Sequence, residues 1–458
     1  MMKTHSLTPT VRPYALLPRV LKLAFPVAVQ SALVSILALA DVLMVSDFGQ
    51  HATAAVGIAS KWQFVAAMIM AGLSAATGVL VSQYWGKEDK VHAKTVTMQA
   101  LKFGTIVIVP VIAIMTLFAS QIMLLQTSDE QVINLGAEYL LYSFPLLLLT
   151  HFVMTIESSL RSSGDAVLPL IIGAITVAIN IGLNFLLIRG GFGIPAMGVA
   201  GAALATTLAR CLQVIMMAAV LVGRNNWLVS SHYIKNHHTL WMSFKKLAIP
   251  SSCSAVLWAA GTLTYQMIIG HMGTTELAVY SMIGPFESLC YAIFFGISVA
   301  CSVLVGQSLG RDEFEHAQAI STTIIKWVIG LGISLGAMLY LGRDWVISAL
   351  NLEQPELYVL ALPALGVMAF GIWVRMLNMI IINGVLRAGG EHMFFIRMDL
   401  IAMWSFGIPL TAFGAFIGEW SFSWVYLAIV SEEFVRLFLC YRRYREKRWV
   451  ANLTLQTA

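Results

Sequence analysis

Long apolar stretches separated by short polar segments recur along the whole chain. Many of them reach about 20 residues with few charges inside, which is the length a helix needs to cross the hydrocarbon core of a bilayer. Segments of about ten residues with alternating polarity, the pattern of membrane β-strands, do not occur. The pattern predicts an all-α polytopic membrane protein with twelve spans, near 19–45, 53–84, 96–119, 132–156, 167–188, 197–222, 247–271, 276–308, 317–341, 357–386, 394–417 and 421–441.

An internal repeat relates the two halves of the chain. When residues 23–94 are laid on residues 247–318 without a gap, 18 of the 72 positions are identical. Shared hydrophobic composition would not align proline, glutamine, glycine and histidine together. The matched positions include Pro26 with Pro250, Gly72 with Gly296, Gln83 with Gln307, Gly86 with Gly310 and His92 with His316.

The repeat predicts two homologous six-helix bundles. An offset of six spans preserves orientation, so the halves are parallel repeats around a central cleft, an arrangement known among secondary transporters. A channel would instead need a continuous pore, usually inside a ring of subunits. The predicted domains are an N-terminal lobe (1–222), a cytoplasmic inter-lobe linker (223–246), a C-terminal lobe (247–441) and a basic cytoplasmic tail (442–458).

Composition and charge placement agree with a membrane protein. Of the 458 residues, 59% are hydrophobic and only 11% are charged, whereas a soluble chain has about one quarter charged residues. With the N-terminus inside, twenty of the 28 Lys and Arg residues fall in cytoplasmic segments and two, Arg189 and Arg343, fall in outer loops. By the positive-inside rule this predicts a multi-pass protein of the inner (cytoplasmic) membrane with both termini cytoplasmic.

Several classes of function find no support in the sequence. The net charge of +5 reflects loop placement and does not indicate a nucleic-acid partner. No P-loop, HExxH, GxSxG or CxxC motif is present, so we expect no enzyme, no cofactor, no metal site and no ATP-driven pump. The five cysteines lie in or beside apolar segments and are interpreted as buried inert thiols: Cys211, Cys253, Cys290, Cys301 and Cys440.

Asp41 is the sharpest candidate for chemistry in the N-terminal lobe, because it stands in an apolar run of the first span with no cation within helical reach. At a rise of 1.5 Å per residue, Asp41 and Asn184 both lie about 28 Å above the cytoplasmic end of their helices. Asn180, Tyr139 and Thr206 lie at about 22, 27 and 24 Å on the same scale. The five side chains are predicted to form a proton or cation site. Taken alone, each Asn or Thr more often forms a structural hydrogen bond between helices than part of a site.

The second half does not repeat this chemistry. Tyr265 stands at the position that corresponds to Asp41, so the candidate C-terminal site consists of Glu287, Tyr265 and Arg375. The pair Glu432–Glu433 is interpreted as snorkelling or paired. Pro26 removes a helix hydrogen bond in the first span and is a candidate hinge, or it merely shapes the helix.

With these features in view, the chain resembles the multidrug and toxic compound extrusion (MATE) family, and within it the prokaryotic DinF-like branch. The resemblance covers essentially the whole length. It rests on the mirrored Gln-x-x-Gly motifs, on Asp41 and on the loop motif Leu-Arg-Ser-Ser-Gly-Asp at 160–165.

The resemblance implies two six-helix bundles in a V-shaped cleft that export drugs and organic cations against H⁺ or Na⁺. Asp41 matches the family's proton-linked carboxylate, Asn180 its fifth-span asparagine, and Tyr139 and Thr206 its polar partners. Asn184 replaces a second aspartate of the family. Since hard cations favour carboxylate oxygens, this replacement favours H⁺ over Na⁺. The acidic cation site that the NorM-like branch places in the C-terminal lobe is absent from the sequence, because the tenth span holds Arg375 and Asn378 instead of an aspartate.

The sequence therefore predicts a monomeric multidrug efflux antiporter whose partners are small-molecule drugs, organic cations and membrane lipids. A Na⁺-coupled MATE antiporter is the first alternative. A lipid-linked oligosaccharide flippase of the same superfamily would need a cationic cavity, for which only Arg210 and Arg375 are available. An integral-membrane transferase or protease would need a cytoplasm-facing Asp/His cluster, and the inner loops hold only dispersed acids.

Overall fold

The chain folds into long helices, which satisfy every backbone hydrogen bond within one segment as a bilayer interior requires. A computed structural model describes residues 13–46, 49–127, 129–191, 193, 195–235, 237–350 and 352–456, without the side chains of 13, 14, 38–43, 46, 50, 285 and 456. The α-helices are α1 (Pro13–Ser46), α2 (Gln50–Gly86), α3 (Lys90–Leu117), α4 (Ala119–Leu124), α5 (Glu130–Tyr142), α6 (Phe144–Ser162), α7 (Val167–Arg189), α8 (Gly198–Gly223), α9 (Trp227–Ser230), α10 (His238–Met272), α11 (Thr274–Gly310), α12 (Phe314–Leu341), α13 (Arg343–Ala349), α14 (Pro355–Met379), α15 (His392–Asp399), α16 (Ile408–Phe416) and α17 (Phe422–Arg445).

The helices account for all twelve predicted spans, and the multi-span helical fold is confirmed. Within the described ranges, ten segments are long and apolar enough to cross a membrane, and the bent pair α5 and α6 makes eleven. The twelfth predicted span is α17, whose 24 residues would suffice in length. Three charged residues near its middle set it apart from the other spans: Glu432, Glu433 and Arg436.

The fourth predicted span is broken between α5 and α6, with a bend of 46°. Pro145 lies in the first turn of α6, where its missing N–H removes a hydrogen bond to the preceding helix. The Ser143 hydroxyl donates to the Tyr139 carbonyl at 2.7 Å, and the Thr207 hydroxyl of α8 donates to the Tyr142 carbonyl at 3.2 Å. The Tyr139 carbonyl also keeps its backbone bond from the Ser143 N–H at 3.1 Å, so Thr207 is the side chain that supplies a donor to a carbonyl at the break from another helix.

Two spans of the second half contain π-helical segments. Helix α14 continues as a π-helix over Ile380–Leu386 and ends in a 3₁₀ turn at Arg387–Gly389. A second π-helix, Leu400–Gly407, joins α15 to α16. Such segments are rare in proteins and occur often at functional sites.

The chain divides into two compact units. The N-terminal unit is Val29–Ser252, and the C-terminal unit combines Met1–Ala28 with Cys253–Ala458. This division differs from the predicted lobes, since it falls inside α1 and inside α10. In each helix the division comes two residues after a proline, Pro26 or Pro250.

The linker predicted at 223–246 is shorter than expected, because α10 already begins at His238. The preceding segment packs within the N-terminal unit. The Lys94 ammonium donates to the carbonyls of Val229 at 2.9 Å and Ser231 at 2.6 Å, and the Gln99 amide donates to the His237 carbonyl at 3.0 Å. These bonds hold the segment against α3.

Two glycines at corresponding positions of the repeat allow close helix approaches. In the N-terminal unit, a Cβ added at Gly72 of α2 would overlap the backbone of Ser252. In the C-terminal unit, a Cβ at Gly296 of α11 would overlap the Ala24 carbonyl and lie 3.0 Å from the Ala28 Cβ. Small residues of this kind let membrane helices pack backbone to backbone.

We expect Gly296→Ala to lower the free energy of unfolding by about 1–3 kcal/mol, because the added methyl group meets backbone atoms that cannot move aside. Gly330→Ala is the matched control, since nothing lies within 4 Å of a Cβ at this α12 position. The control should be neutral or stabilising by about 0.5–1 kcal/mol. Thermal unfolding of both variants in detergent measures the difference, and equal melting temperatures would contradict the close approach.

Candidate functional site

The predicted N-terminal site is described in part. Asp41 lies in α1, and its side chain lies outside the described part of the structure. Asn180 and Asn184 are both buried in α7, with exposed fractions of 2% and 0%. The Asn184 amide donates to the Asn180 side-chain oxygen at 2.9 Å, as their spacing of four residues allows. Two amides are therefore held together inside an apolar helix.

Tyr139 and Thr206 lie on other helices of the same unit. Tyr139 is buried in α5 within the unit's apolar core. Thr206 is half-buried in α8, and its hydroxyl donates to the Ala202 carbonyl of its own helix at 3.0 Å. This hydroxyl therefore has a local acceptor one turn away. The grouping of these two side chains with Asp41 stays a prediction.

Pro26 is buried inside α1, which continues through it as one helix. The division between the two compact units follows it at Ala28 and Val29. Its assignment as a hinge stays a prediction.

A buried polar cluster surrounds Glu157 in the N-terminal unit. Because the predicted fourth span ends at residue 156, Glu157 was expected in an inner loop. The Glu157 carboxylate is 6% exposed on α6. It accepts hydrogen bonds from Gln30 of α1 at 3.0 Å, from Gln213 of α8 at 3.3 Å and from Arg161 at 3.3 Å. Arg210, the second cation, donates to the Gln213 side-chain oxygen at 2.6 Å. One carboxylate thus connects three helices.

The C-terminal unit contains a larger ionic cluster around Arg375 of α14. Its guanidinium forms an ion pair with Glu287 of α11 and donates from Nε to Glu433 of α17 at 2.9 Å. Two of the three predicted residues, Glu287 and Arg375, are therefore in contact. The Tyr291 hydroxyl donates to Glu287 as well. Asn378 donates to both the backbone carbonyl and the carboxylate of Glu433, each at 2.8 Å.

A second arginine, Arg436 of α17, extends this cluster. It pairs with Glu432 at 2.6 Å and with Asp399 of α15 at 3.4 Å. The Ser254 hydroxyl donates to Asp399 at 2.6 Å. The third predicted residue, Tyr265, joins here because its phenol donates to Glu432. We call the following six residues the carboxylate–arginine cluster: Glu287, Arg375, Asp399, Glu432, Glu433 and Arg436.

The charges of the carboxylate–arginine cluster do not balance. Four carboxylates are paired directly with two guanidiniums, and a third, that of Arg387, acts on Asp399 through space, which leaves one carboxylate in excess. Asp399, Glu432 and Glu433 are only 3–4% exposed. Because an uncompensated charge is costly in a low-dielectric interior, such a group favours the uptake of protons or of a cation. Its chemical capacity is therefore the exchange of positive charge.

Both π-helical segments adjoin the carboxylate–arginine cluster. Asn378 and Arg375 come shortly before the first segment, and Asp399 directly precedes the second. Gly407 ends the second segment, and a Cβ there would overlap the Tyr265 hydroxyl and lie 2.8 Å from the Glu432 carboxylate. The backbone is thus shaped to admit these two side chains.

Sequence reasoning found Glu287, Arg375 and Tyr265 but missed Asp399 and set aside the glutamate pair. Glu432 and Glu433 are buried and form ion pairs with Arg436 and Arg375, so of the two interpretations pairing is confirmed and snorkelling is not. The sequence feature that indicated this pairing was the number of charged residues in the last span, because charges inside the membrane are stable only when they are paired.

Metal and thiol chemistry find no geometric support in the described ranges. Among these residues no group of three or more His, Cys, Asp or Glu side chains is arranged to hold a metal ion. All five cysteines are free, and only Cys301 and Cys440 are buried. Cys253 is exposed, which corrects the expectation of five buried thiols.

Comparison with known proteins identifies relatives along nearly the whole chain. The MatE family model matches residues 26–186 and 250–413. The uncharacterized transporter YisQ of Bacillus subtilis is 24% identical over 93% of this chain and 94% of its own length. The probable multidrug resistance protein NorM of Thermotoga maritima is 22% identical over 85% of this chain and 84% of its own.

Solved structures agree with the fold. A crystal structure of the Vibrio cholerae MATE transporter VcmN superposes with a TM-score of 0.87 at 18% identity. The match covers 97% of this chain and 99% of that one. At this identity the likeness concerns the fold alone.

Glu157→Ala should lower the free energy of unfolding by about 2–4 kcal/mol, because it leaves Arg161 and two glutamines without their buried acceptor. Glu157→Gln keeps one acceptor oxygen and should cost less. Glu138→Ala removes an exposed acid of the same unit and serves as control. Thermal unfolding in detergent compares the three, and an unchanged midpoint for Glu157→Ala would contradict the cluster.

Arg375→Gln should destabilise the protein by about 3–5 kcal/mol, since it leaves Glu287 without its cation and the buried Glu433 with only Arg436, at 3.7 Å. Adding Glu287→Gln to this variant should restore part of the loss, because the two sites are in contact. Arg397→Gln, an exposed arginine of the same unit, should change little. A double-mutant cycle on melting temperatures measures the coupling, and strict additivity would argue against the pair.

Proposed function

Because the chain belongs to the MatE family, we propose that it is a secondary active efflux antiporter that exports organic, often cationic compounds in exchange for H⁺. The chain is a multi-pass membrane protein of a transporter family and not an enzyme. Relatives with probable multidrug resistance in their names support drugs as the substrate class. The choice of H⁺, the coupling residue and the DinF-like branch are the finer parts of the proposal.

Asp41 carries the coupling in this proposal. It is the one carboxylate in the sequence of α1 and stands in an apolar run near the end of that helix, and the buried Asn180–Asn184 pair provides polar side chains at a similar predicted depth. Two neutral amides and one acid give a site with a single exchangeable charge. Such a site suits a proton, whereas Na⁺ prefers several carboxylate oxygens. Tyr139 and Thr206 complete the proposed site.

The coupling step is a change in the charge of α1. Deprotonated Asp41 favours the state that accepts substrate, and H⁺ from outside neutralises it. The gain of a proton removes the cost of a charge among apolar residues, which changes the favoured position of α1. Pro26 provides the point in α1 at which a rearrangement needs the fewest broken hydrogen bonds. Substrate then leaves the N-terminal lobe.

The carboxylate–arginine cluster is the proposed second ionisable site. With all acids ionised, its four carboxylates outnumber Arg375, Arg436 and the neighbouring Arg387 by one, so it also takes up positive charge. Its Glu287 and Arg375 come from α11 and α14, and Tyr265 of α10 donates to its Glu432. A charge exchange here changes the pairing of Arg375 and Arg436, and with it the packing of α17.

The same contacts weigh against a lipid-linked oligosaccharide flippase, which needs free cations to hold a pyrophosphate. Arg375 is engaged by Glu287 and Glu433. Arg210 donates to Gln213 within the Glu157 cluster. Na⁺ coupling would use the same residues as H⁺ coupling. The vesicle experiment with ionophores, described below, distinguishes the two ions.

Membrane placement follows the distribution of basic residues. Twenty cations in predicted inner segments against two in outer loops support an inner-membrane protein with both termini in the cytoplasm.

Asp41→Asn should abolish drug resistance in an efflux-deficient host, because an amide cannot exchange a proton. Efflux of ethidium or norfloxacin from the wild type, measured in everted vesicles, should stop when an ionophore collapses ΔpH and persist when one collapses only ΔNa⁺. Asp129→Asn is the matched control, as Asp129 is exposed and caps α5, a role that asparagine also fills.

Membrane levels of the variants must be equal to the wild type for the comparison. Full resistance with Asp41→Asn would overturn the role of this residue. Transport that follows ΔNa⁺ alone would establish the alternative coupling ion.

A further inference from the structure

The last turns of α17 carry a groove on one face of the helix. It has a volume of about 420 Å³. The residues that line it stand at positions i, i+3, i+4, i+7 and i+8 of the helix: Phe438, Tyr441, Arg442, Arg445 and Glu446. Side chains at this spacing share one helix face. The aromatic members come first along the helix and the cationic members follow.

The aromatic part of the groove continues toward the middle of the span. Phe438 is 67% exposed and Tyr441 is 52% exposed. Phe434, one turn earlier, stacks on the exposed Phe370 of α14 with ring centroids 5.8 Å apart. Exposed aromatic rings along a spanning helix provide an apolar track for an acyl chain. A tyrosine at the end of such a track is typical of the membrane interface.

The cationic part has an excess of positive charge. Five cations lie between 442 and 448, and the carboxylates that face them are Glu446 and Glu391. Arg443 forms ion pairs with Glu391 at 2.6 Å and with Glu446 at 3.0 Å. Among the described residues, Arg445 forms no ion pair, and Arg442 contacts only the shared Glu446, at 3.5 Å. Both guanidiniums can therefore donate to an additional anion.

The end of α17, on which the groove lies, is held in place by the segment that follows it. Trp449 is 1% exposed, stacks on Tyr444 and donates from its ring nitrogen to the Tyr444 carbonyl at 3.1 Å. Asn452 donates to Asp312 at 2.8 Å and to the Gly310 carbonyl at 3.3 Å. These contacts fix the backbone that carries the groove residues.

We propose that this groove binds an anionic phospholipid of the cytoplasmic leaflet. The phosphate accepts hydrogen bonds from Arg442 and Arg445, and an acyl chain lies along Phe438 and Phe434. The predicted cytoplasmic location of the end of α17 agrees, because anionic lipids give that leaflet its negative surface potential. A planar guanidinium is well suited to a phosphate. The lipid ties α17 to the membrane at the helix that carries Glu432 and Glu433.

The test is lipid binding by the purified full-length protein in a neutral detergent. Native mass spectrometry counts bound phosphatidylglycerol, with phosphatidylcholine of the same acyl chains as the neutral arm and inorganic phosphate as a competitor. Arg442→Gln with Arg445→Gln should weaken phosphatidylglycerol binding roughly 25-fold, from about fivefold per charge. Arg224→Gln with Lys235→Gln removes two exposed cations elsewhere and should leave binding unchanged.

Two further arms separate headgroup from chain. Phe438→Ala should weaken both lipids alike, because it removes acyl contact and no charge. Phosphatidylglycerol should raise the melting temperature of the wild type and of the Arg224/Lys235 control, but not of the Arg442/Arg445 variant. Equal lipid binding by the two double variants would overturn the proposal. Displacement of the lipid by inorganic phosphate at comparable concentration would overturn the lipid as occupant.

Discussion

A charge inside the hydrocarbon layer persists only where a partner neutralises it or water reaches it. In the C-terminal unit this constraint explains why four acids from α11, α15 and α17 gather around Arg375 and Arg436. It also explains why α17, with three charged residues near its middle, can serve as a span at all. The packing of these helices follows from the need to keep the ion pairs together.

The described N-terminal unit meets the same constraint with mostly neutral polar groups. The two amides of α7 are hydrogen-bonded to each other, and in a separate cluster two glutamines donate to the Glu157 carboxylate, so few formal charges are involved. A single acid such as Asp41 therefore changes the charge of its surroundings more than any one acid does in the crowded C-terminal unit. This contrast is the physical reason for assigning the main coupling step to Asp41.

The spans could be predicted because a bilayer demands about 20 apolar residues per crossing, a signal that needs no tertiary information. The contact of Asn180 with Asn184 was predictable for a similar reason, since helical periodicity alone sets it. The grouping of Arg375 with Glu287 was predicted, but the pairing of Arg375 with Glu433 was not, because α14 and α17 are separated in sequence by α15 and α16. The π-helical segments and the bend at Pro145 could not be predicted either, because they depend on tertiary contacts. The same holds for the hydrogen bonds that hold the segment before α10 against α3.

The repeat shows how one position can change its chemistry. Tyr265 stands where Asp41 stands in the other half, and its phenol donates to Glu432. The carboxylate next to this position of the C-terminal unit is therefore supplied by α17 instead of by the first helix of the half. Gly407 makes room for that contact, because any larger residue would collide with both partners. The carboxylate on the last helix is paired with Arg436, whereas the apolar run around Asp41 contains no arginine in the sequence, so a change in the charge of Asp41 has no partner within that run.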